Sequence, residues 1–212
     1  MSVRFIIVYL ERMFKLGILA SGNGTDLDAI YKEMDEGKLP GIEVAIVISN
    51  VEGAPVLKKA QARGLKTLFV DPSGKAKEDY DQELVDLMKE ARIDLVCLIG
   101  YMKVLTPVFV SEFPRHIINV HPALLPKYGG HGWYGMKVHE AVLANDEKET
   151  GMTVHYVDYG VDSGAMILQE KMAVLPEDTP ESLKAKVQEL EKKAYPEAIR
   201  LICKQRTGKL GG

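Results

Sequence analysis

The residues best suited to chemistry lie in the segment Ile118–Tyr128, which reads Ile-Asn-Val-His-Pro-Ala-Leu-Leu-Pro-Lys-Tyr. Asn119 and His121 are two residues apart after an apolar run, so an extended chain places both side chains on one face. An amide donor beside an imidazole suits a reaction in which negative charge develops on an oxygen. Both groups can donate hydrogen bonds to that oxygen, and a protonated imidazole also counters its charge. For this pattern alone, the alternative is a hydrogen-bonded pair that closes a loop.

A carboxylate able to orient the imidazole is Asp162, within the turn Tyr-Gly-Val-Asp-Ser-Gly. Placed beside His121, it would hold the ring and stabilise the protonated form. The set Asn119, His121 and Asp162 is therefore predicted to be catalytic, with His121 charged. Taken alone, an Asp between glycines is more often a turn former.

The turn Ser21–Thr25 lies between a predicted strand and a predicted helix and is rich in glycine. Glycines allow a close approach to an anion, and free N–H groups at a helix start bind phosphate. The turn lacks the Walker and full dinucleotide patterns, so it favours a single phosphate, with a ligand-free turn as the alternative. Asp26 is predicted to cap the helix with its side chain, while its N–H and those of Gly24 and Thr25 point at the phosphate.

These residues must be positioned by alternating strands and helices. Apolar runs alternate with amphipathic segments in the first half, which predicts an α/β fold with a doubly wound, mostly parallel sheet. Two antiparallel strands are predicted in the C-terminal half, and Pro196 implies a kink or an interruption in the last helix. The predicted strands are 15–20, 44–49, 67–70, 94–100, 117–120, 153–157 and 166–174, and the predicted helices are 26–36, 54–63, 77–91, 107–112, 137–144 and 181–206.

Composition and charge favour a protein that acts on small molecules. The 212 residues fit a single domain, 1–212, with residues 1–13 as a candidate N-terminal extension. A net charge of −3 gives no basic surface for nucleic acid, and the apolar run Ser2–Leu10 is too short to span a bilayer. We expect small-molecule substrates, no nucleic-acid or membrane partner, a monomer or homodimer, and a cytoplasmic location, which the isolated Cys97 and Cys203 also fit.

No metal site is predicted. Four further histidines lack paired ligand spacing and come without a cysteine cluster: His116, His131, His139 and His155. We expect His155 to pack on a strand and His139 to face solvent or cap a contact on its helix. Trp133 and Tyr134 would either cover a ligand or anchor their own loop, and the sequence favours neither.

Taken together, these segments resemble the folate-dependent formyltransferases from about Lys15 to Ile202. The motif Asn-x-His-Pro-x-Leu-Leu-Pro at 119–126, followed by Asp-x-Gly at 162–164, is highly specific to that fold. The other matching segments are 19–24, 48–50, 62–64, 100–107, 151–155 and 195–196. The resemblance implies a Rossmann-like formyltransferase fold. It also implies transfer of a formyl group from the co-substrate 10-formyltetrahydrofolate to the amine of glycinamide ribonucleotide in purine biosynthesis, without a metal.

The resemblance also implies a role for each matched residue. Asn119, His121 and Asp162 match the catalytic set, which works by direct attack through a tetrahedral intermediate. The acceptor phosphate matches Gly24, Thr25 and Asp26, and its ribose lies near Gln188 and Glu191. The walls of the folate pocket match Tyr101, Met102, Lys103, Val104, Leu105, Asp158, Tyr159, Gly160 and Val161.

This chain departs from the usual family pattern near the acceptor and donor sites. Asp26 replaces a usual Asn, Lys103 replaces a common Arg, Lys192 replaces a His, and the loop 130–135 is longer. The alternatives for activity are therefore formyl transfer to another amine, such as that of an amino sugar nucleotide, or hydrolysis of formyltetrahydrofolate.

Three other functions fit this sequence less well. A tRNA formyltransferase would carry a C-terminal nucleic-acid-binding domain and a basic surface. A formyltetrahydrofolate hydrolase would carry an N-terminal regulatory domain, for which residues 1–14 are too few. A non-catalytic nucleotide-binding module would not need Asn119, His121 and Asp162 together.

Overall fold

The fold is a seven-stranded sheet covered by helices, in a computed structural model that describes residues 12–208. The strands are β1 (Phe14–Ala20), β2 (Ile42–Ser49), β3 (Thr67–Phe69), β4 (Leu95–Ile99), β5 (Ile117–His121), β6 (Glu149–Tyr156) and β7 (Met166–Ala173). The helices are α1 (Thr25–Asp35), α2 (Pro55–Ala62), α3 (Lys77–Glu90), α4 (Pro107–Glu112), α5 (Met136–Ala144) and α6 (Pro180–Thr207).

The sheet has the order β3-β2-β1-β4-β5-β6-β7. The first five strands are parallel, whereas β6 is antiparallel to both of its neighbours, β5 and β7. The predicted doubly wound, mostly parallel sheet with antiparallel strands in the C-terminal half is therefore confirmed.

Different helices bury the two faces of the central strands. On one face, α1, α2 and α6 pack on side chains such as Leu16 and Ile18. On the other, α3 and α4 pack on Leu19 and Ile46. Every residue of β4 is buried, as its unbroken apolar sequence predicts for a parallel strand covered on both faces.

The direction of winding changes between the neighbouring strands β1 and β4, because α1 leads from β1 to β2 and α4 leads from β4 away to β5. Open α/β sheets bind ligands outside the carboxyl ends of strands at such a point. Ser21 links the loops here: its Oγ accepts a hydrogen bond from the N–H of Met102 at 2.9 Å and donates one to Asn50 Oδ1 at 2.6 Å. The loops after β1, β2 and β4 are thereby tied together.

β6 begins at Glu149 rather than at the predicted Thr153. Its first residues pair with the end of β7, where Glu149 lies opposite Ala173, and Lys171 forms an ion pair with Glu149 at 3.0 Å. The sequence pattern did not indicate the first residues of this strand, because Gly151 interrupts the alternation of apolar residues. A Cβ at that position would lie 2.0 Å from the carbonyl oxygen of Glu170, so the two strands approach too closely there for a side chain.

The predicted interruption at Pro196 is wrong, because α6 runs from Pro180 to Thr207 as one helix. Packing against the sheet holds the helix together across the proline. The neighbouring Tyr195 is fully buried, and its hydroxyl donates to the carbonyl oxygen of Leu98 at 2.9 Å. Tertiary contacts thus outweigh the local cost of an interior proline. A kink at Pro196 stays a prediction.

The candidate N-terminal extension, residues 1–13, lies almost wholly outside the described residues, which start at Arg12. Arg12 forms an ion pair with Asp94 at 2.9 Å, and β1 starts two residues later. Between residues 12 and 208, none of the helices is long and apolar enough to cross a membrane.

Candidate active site

A cleft of about 700 Å³ lies outside the carboxyl ends of β1, β4 and β5, a volume typical of sites for small ligands. Its walls also include parts of the turn after β6 and of α6. All residues predicted to be catalytic or to bind a substrate line this cleft: Gly24, Thr25, Asp26, Tyr101, Met102, Lys103, Val104, Leu105, Asn119, His121, Asp158, Tyr159, Gly160, Val161, Asp162, Gln188 and Glu191.

His121 ends β5 and is buried, with oxygen atoms facing both of its ring nitrogens. Nε2 lies 2.7 Å from the carbonyl oxygen of Tyr128, and since a carbonyl can only accept, Nε2 carries the hydrogen and donates it. Nδ1 lies 3.3 Å from Asp162 Oδ2. The two side chains that the sequence pairs are therefore adjacent.

The prediction that His121 is protonated is wrong for the free protein. Burial lowers the pKa of His121, and this effect exceeds that of the Asp162 carboxylate and the Tyr128 carbonyl, both of which raise it. The net pKa lies below the usual value of 6.5, so the ring is mostly neutral at neutral pH. At Asp162, burial by itself would raise the pKa. The hydrogen bond with His155 and the proximity of His121 lower the pKa by more than burial raises it, so the carboxyl group is ionised.

The turn that carries Asp162 is fixed by its backbone. Asp162 has a positive φ of 57°, a conformation that Asp tolerates better than most residues. A Cβ at Gly164 would lie 1.8 Å from the carbonyl oxygen of Tyr156, so this residue must be glycine. The N–H of Gly130 donates to Asp162 Oδ2 at 3.1 Å. Asp162 thus forms a turn and also faces His121, so the turn-forming role and the position beside the imidazole, both considered from the sequence, occur together.

His155 packs on a strand as expected, buried on β6, and it also belongs to this cluster. It lies opposite Asn119 in the β5–β6 pair, and its Nε2 is 3.4 Å from Asn119 Nδ2 and 3.5 Å from Asp162 Oδ1. Its Nδ1 donates to the carbonyl oxygen of Tyr156 at 2.9 Å. The Asp162 carboxylate therefore lies between two imidazoles. The available sequence signal was the alternation of Thr153 and His155 among apolar residues of β6.

His139 is also buried and lines the cleft, which corrects the expectation of a solvent-facing side chain. Burial is the main cause that lowers its pKa to about 4, and the charges of Lys184 and His121 act in the same direction. This imidazole is therefore neutral across the physiological range. Within the described residues, its Nδ1 has no hydrogen-bond partner.

At the opposite end of the cleft, α1 begins with Gly24 as its N-cap residue. Gly24 has a φ of +68°, and a Cβ there would lie 2.5 Å from Val56 Cγ2, so glycine is required. The first N–H groups of α1 have no intrahelical acceptors and, with the positive end of the helix dipole, form a place for an anion.

Asp26 does not cap α1, which corrects the prediction made from its position. It is the second residue of the helix and only 4% exposed, and no side-chain cap hydrogen bond is present among the described residues. Its Oδ1 is buried without a partner in the described chain. Burial, opposed by Lys192 and aided by Asp28, raises the pKa of Asp26 to about 6.

Glu191 on α6 is a second buried carboxyl group at this end, with 8% of its surface exposed. Burial and the proximity of Asp26 raise its pKa to about 8, although Lys184 lowers it. At neutral pH, Glu191 is therefore mostly protonated while Asp26 is mostly ionised, so the pair holds about one proton.

The loop after β4 and the turn after β6 form apolar walls on the other side of the cleft. Met102, Val104 and Tyr159 are exposed on these walls. The Asp158 carboxylate supports the turn by accepting hydrogen bonds from the N–H of Gly160 at 3.0 Å and from Ser163 Oγ at 2.6 Å. A flat, partly apolar ring system would fit between such walls.

Trp133 lines the cleft and also anchors its loop. Its ring lies 5.3 Å from that of Tyr128 in an edge-to-face arrangement. Tyr134 is half exposed on the same loop, and its ring lies 4.9 Å from the Lys137 ammonium group. Of the two roles that the sequence left open for Trp133, anchoring of its own loop is therefore observed.

The doubly wound sheet thus carries Asn119 and His121 near the carboxyl end of β5, with Asp162 in the turn after β6, in a cleft of a size suited to small ligands. The chain belongs to the formyl transferase family, whose model matches residues 14–199. Among the described residues, no group of three or more His, Cys, Asp or Glu side chains is arranged to hold a metal ion.

Known relatives and structures agree with this family assignment. The chain is 38% identical over 195 residues to phosphoribosylglycinamide formyltransferase of Haemophilus influenzae, a match that covers 92% of this chain and 89% of that protein. It is also 38% identical to the trifunctional purine biosynthetic protein adenosine-3 of Drosophila melanogaster, of which it spans 14%, with 91% of this chain covered. The crystal structure of glycinamide ribonucleotide transformylase 1 from Symbiobacterium toebii matches with a TM-score of 0.85 and 38% identity, covering 92% of this chain and 89% of that one.

Proposed function

We propose that this protein transfers the formyl group of 10-formyltetrahydrofolate to the amine of glycinamide ribonucleotide in purine biosynthesis. The observation that carries the proposal is that Asn119, His121 and Asp162 share one cleft, in which they lie between apolar walls and the N-terminus of α1. The names of the relatives support this acceptor and the transfer of a formyl group to it.

Each end of the cleft suits one substrate. The walls made by 101–105 and 158–161 would hold the pterin ring of the donor, with backbone groups at the strand ends facing its donors and acceptors. The N–H groups of Gly24, Thr25 and Asp26 would hold the acceptor phosphate, and Gln188 and Glu191 would face its ribose.

The chemical step is a direct attack of the acceptor amine on the formyl carbon. As the carbonyl oxygen becomes an oxyanion, the Asn119 amide and the His121 Nε2–H donate hydrogen bonds to it. His121 must therefore release the carbonyl oxygen of Tyr128, its partner in the free protein. The tetrahedral intermediate then collapses and expels the folate nitrogen.

The attacking amine loses one proton and the departing folate nitrogen gains one, so His121 must accept a proton and then pass it to the folate nitrogen. His121 can accept a proton at Nδ1 because Asp162 lies there, and the Asp162 carboxylate then stabilises the charged ring. A neutral resting imidazole suits this task better than a charged one, because it is free to take the proton.

We expect no covalent intermediate on the protein. The thiol of Cys97 is fully buried and its pKa is raised by burial, so it is a poor nucleophile. The acceptor amine can attack directly, and transfer should proceed unchanged in the presence of a metal chelator.

The test is to measure tetrahydrofolate release with glycinamide ribonucleotide, with an amino sugar nucleotide, and with no acceptor. The proposal predicts release that depends on the ribonucleotide and equals formylated product mole for mole. Release at the same rate without acceptor would instead indicate a hydrolase. The carboxyl group of Asp26 at the phosphate end gives the amino sugar alternative a specific basis, and preference for that acceptor would replace the ribonucleotide assignment.

A further inference from the structure

Two buried carboxyl groups at the acceptor end take no part in the formyl-transfer step itself. Asp26 on α1 and Glu191 on α6 both line the cleft and are both more than nine-tenths buried. Asp26 Oδ1 lacks a hydrogen-bond partner among residues 12–208. A buried polar atom without a partner is costly unless a ligand or a proton supplies one.

This free-energy cost would rise when an anion binds, because of where Asp26 lies. Its own N–H, with those of Gly24 and Thr25, is one of the open donors at the N-terminus of α1, an eleven-residue helix. A phosphate held by those donors would lie close to the Asp26 carboxyl group. Two negative groups so near each other in a buried site repel strongly, whereas a protonated carboxyl group can donate a hydrogen bond to the phosphate.

We propose that Asp26 makes acceptor binding proton-linked: as the phosphate enters the N-terminus of α1, Asp26 takes up one proton from solvent and donates it in a hydrogen bond to a phosphate oxygen. Only the bond between that proton and a carboxylate oxygen forms, and the phosphate keeps its charge. This inference rests on the proposed acceptor, and it names Asp26 as a residue that sets how tightly the phosphate is bound at a given pH.

The charged groups around Asp26 agree with this direction. Burial and Asp28 on α1 favour a proton on Asp26, whereas Lys192 on α6 favours its ionised form. Together with burial, the ionised Asp26 in turn raises the pKa of both Glu191 and Tyr195 on α6. Because the free carboxyl group has a pKa of about 6, it is protonated below that pH and ionised above it. Affinity for the anion should therefore fall as pH rises above about 6, by up to about tenfold per pH unit for one linked proton.

The experiment is isothermal titration calorimetry with the full chain at several pH values between about 5 and about 8. Glycinamide ribonucleotide is one probe, and sulfate is the other, because sulfate stays doubly charged over this range. Asp26→Asn is the test variant, since it replaces the carboxyl group with a neutral hydrogen-bonding group of the same shape. Asp28→Asn is the matched control, because it removes one charge from the same helix at a more exposed position.

We expect native protein and Asp28→Asn to lose affinity for both probes as pH rises, relative to Asp26→Asn. The ratio of native Kd to Asp26→Asn Kd should be close to one near pH 5 and rise by on the order of a hundredfold near pH 8. Binding by native protein should also take up close to one proton near pH 7, seen as a dependence of the heat on the buffer. Glu191→Gln supplies a second variant, which should retain proton uptake if Asp26 is the acceptor.

Equal pH dependence of native protein and Asp26→Asn would overturn the proton link while leaving the acceptor assignment in place. Failure of every protein to bind the ribonucleotide at any pH would instead contradict the proposed acceptor.

Discussion

The two ends of the cleft differ in how fully their polar groups are satisfied. Around His121, both ring nitrogens and both Asp162 oxygens have polar neighbours, namely Tyr128 and Asp162 for His121 and Gly130 and His155 for Asp162, although Nδ1 of the nearby His139 has no partner in the described chain. Around Asp26, a buried carboxylate oxygen has no partner within the described chain, and its negative charge, together with burial, raises the pKa of the neighbouring Glu191, which keeps a proton at neutral pH.

The comparison suggests that one end of the cleft serves the chemical step and the other serves binding. A cluster held by internal hydrogen bonds keeps most of its geometry before substrates arrive, and only the bond from His121 to the Tyr128 carbonyl must be exchanged for one to the oxyanion. An end with unsatisfied groups is less stable when empty and gains most from a ligand that brings the missing partner. Substitutions should therefore affect turnover at the first end and binding or stability at the second.

The largest effect is expected from Asp162→Asn. Without the carboxylate, nothing balances the charge of His121 as it takes the proton of the amine, so turnover should fall by about three orders of magnitude. The pKa of His121, which Asp162 raises, should fall further. The measurements are kcat and an NMR titration of His121, with Asp79→Asn as an exposed control. An identical His121 pKa in native and variant proteins would refute the electrostatic role.

Asn119→Ala should lower the rate of formyl transfer by roughly two to three orders of magnitude, as for removal of one oxyanion donor. The loss should appear in kcat while the Kd values of both substrates change little, because the donor acts mainly on the transition state. Single-turnover kinetics with separate binding titrations check this. Unchanged transfer in the variant would show that Asn119 does not hold the oxyanion.

Thr153→Val tests how the first end is held in place. The Thr153 hydroxyl is buried, donates to the carbonyl oxygen of Ala123 at 2.7 Å, and accepts from the N–H of Leu125 at 3.1 Å and from Gln169 at 2.9 Å. Loss of these partners should lower the free energy of unfolding by about 2–3 kcal/mol. Urea denaturation measures it, and Thr153→Ser, which keeps the hydroxyl, should lose much less. Equal stability of the valine and serine variants would contradict the argument.

Asp26→Asn should stabilise the protein, in contrast to the substitutions at the first end. The pKa of Asp26 is raised from 3.8 to about 6 on folding, so its contribution to stability is lost as pH rises across that interval. The variant should therefore be more stable than native protein by on the order of 3 kcal/mol near pH 7, with a smaller difference near pH 4. Denaturation at both pH values checks this, and a less stable variant at pH 7 would contradict the burial cost.

The sequence predicts most of the parallel sheet and the members of the candidate site, because these depend on local signals. The apolar runs of β1, β2 and β4 and the spacing of Asn119 and His121 are such signals. The glycine-rich turn at the start of α1 is another local signal, whereas the resemblance to a known family added Gln188 and Glu191, which no local pattern would single out.

Features that depend on distant parts of the chain were not predictable in this way. His155 meets Asn119 only through the antiparallel register of β5 and β6. Asp26 is buried because α6 returns from the end of the chain to pack on α1. The protonation of His121 follows from the balance between burial and its neighbours, for which a sequence gives the neighbours but not the depth of burial.

The measurement that tests the contrast between the two ends most directly is a 13C NMR titration of the side-chain carboxyl groups, with and without glycinamide ribonucleotide. Resonances are assigned from Asp26→Asn and Asp162→Asn. We predict that Asp26 titrates near pH 6 in the free protein and becomes protonated when the ribonucleotide binds, whereas Asp162 stays ionised in both states. An Asp26 that titrates near pH 4 and does not respond to the ligand, or an Asp162 that gains the proton instead, would contradict the account.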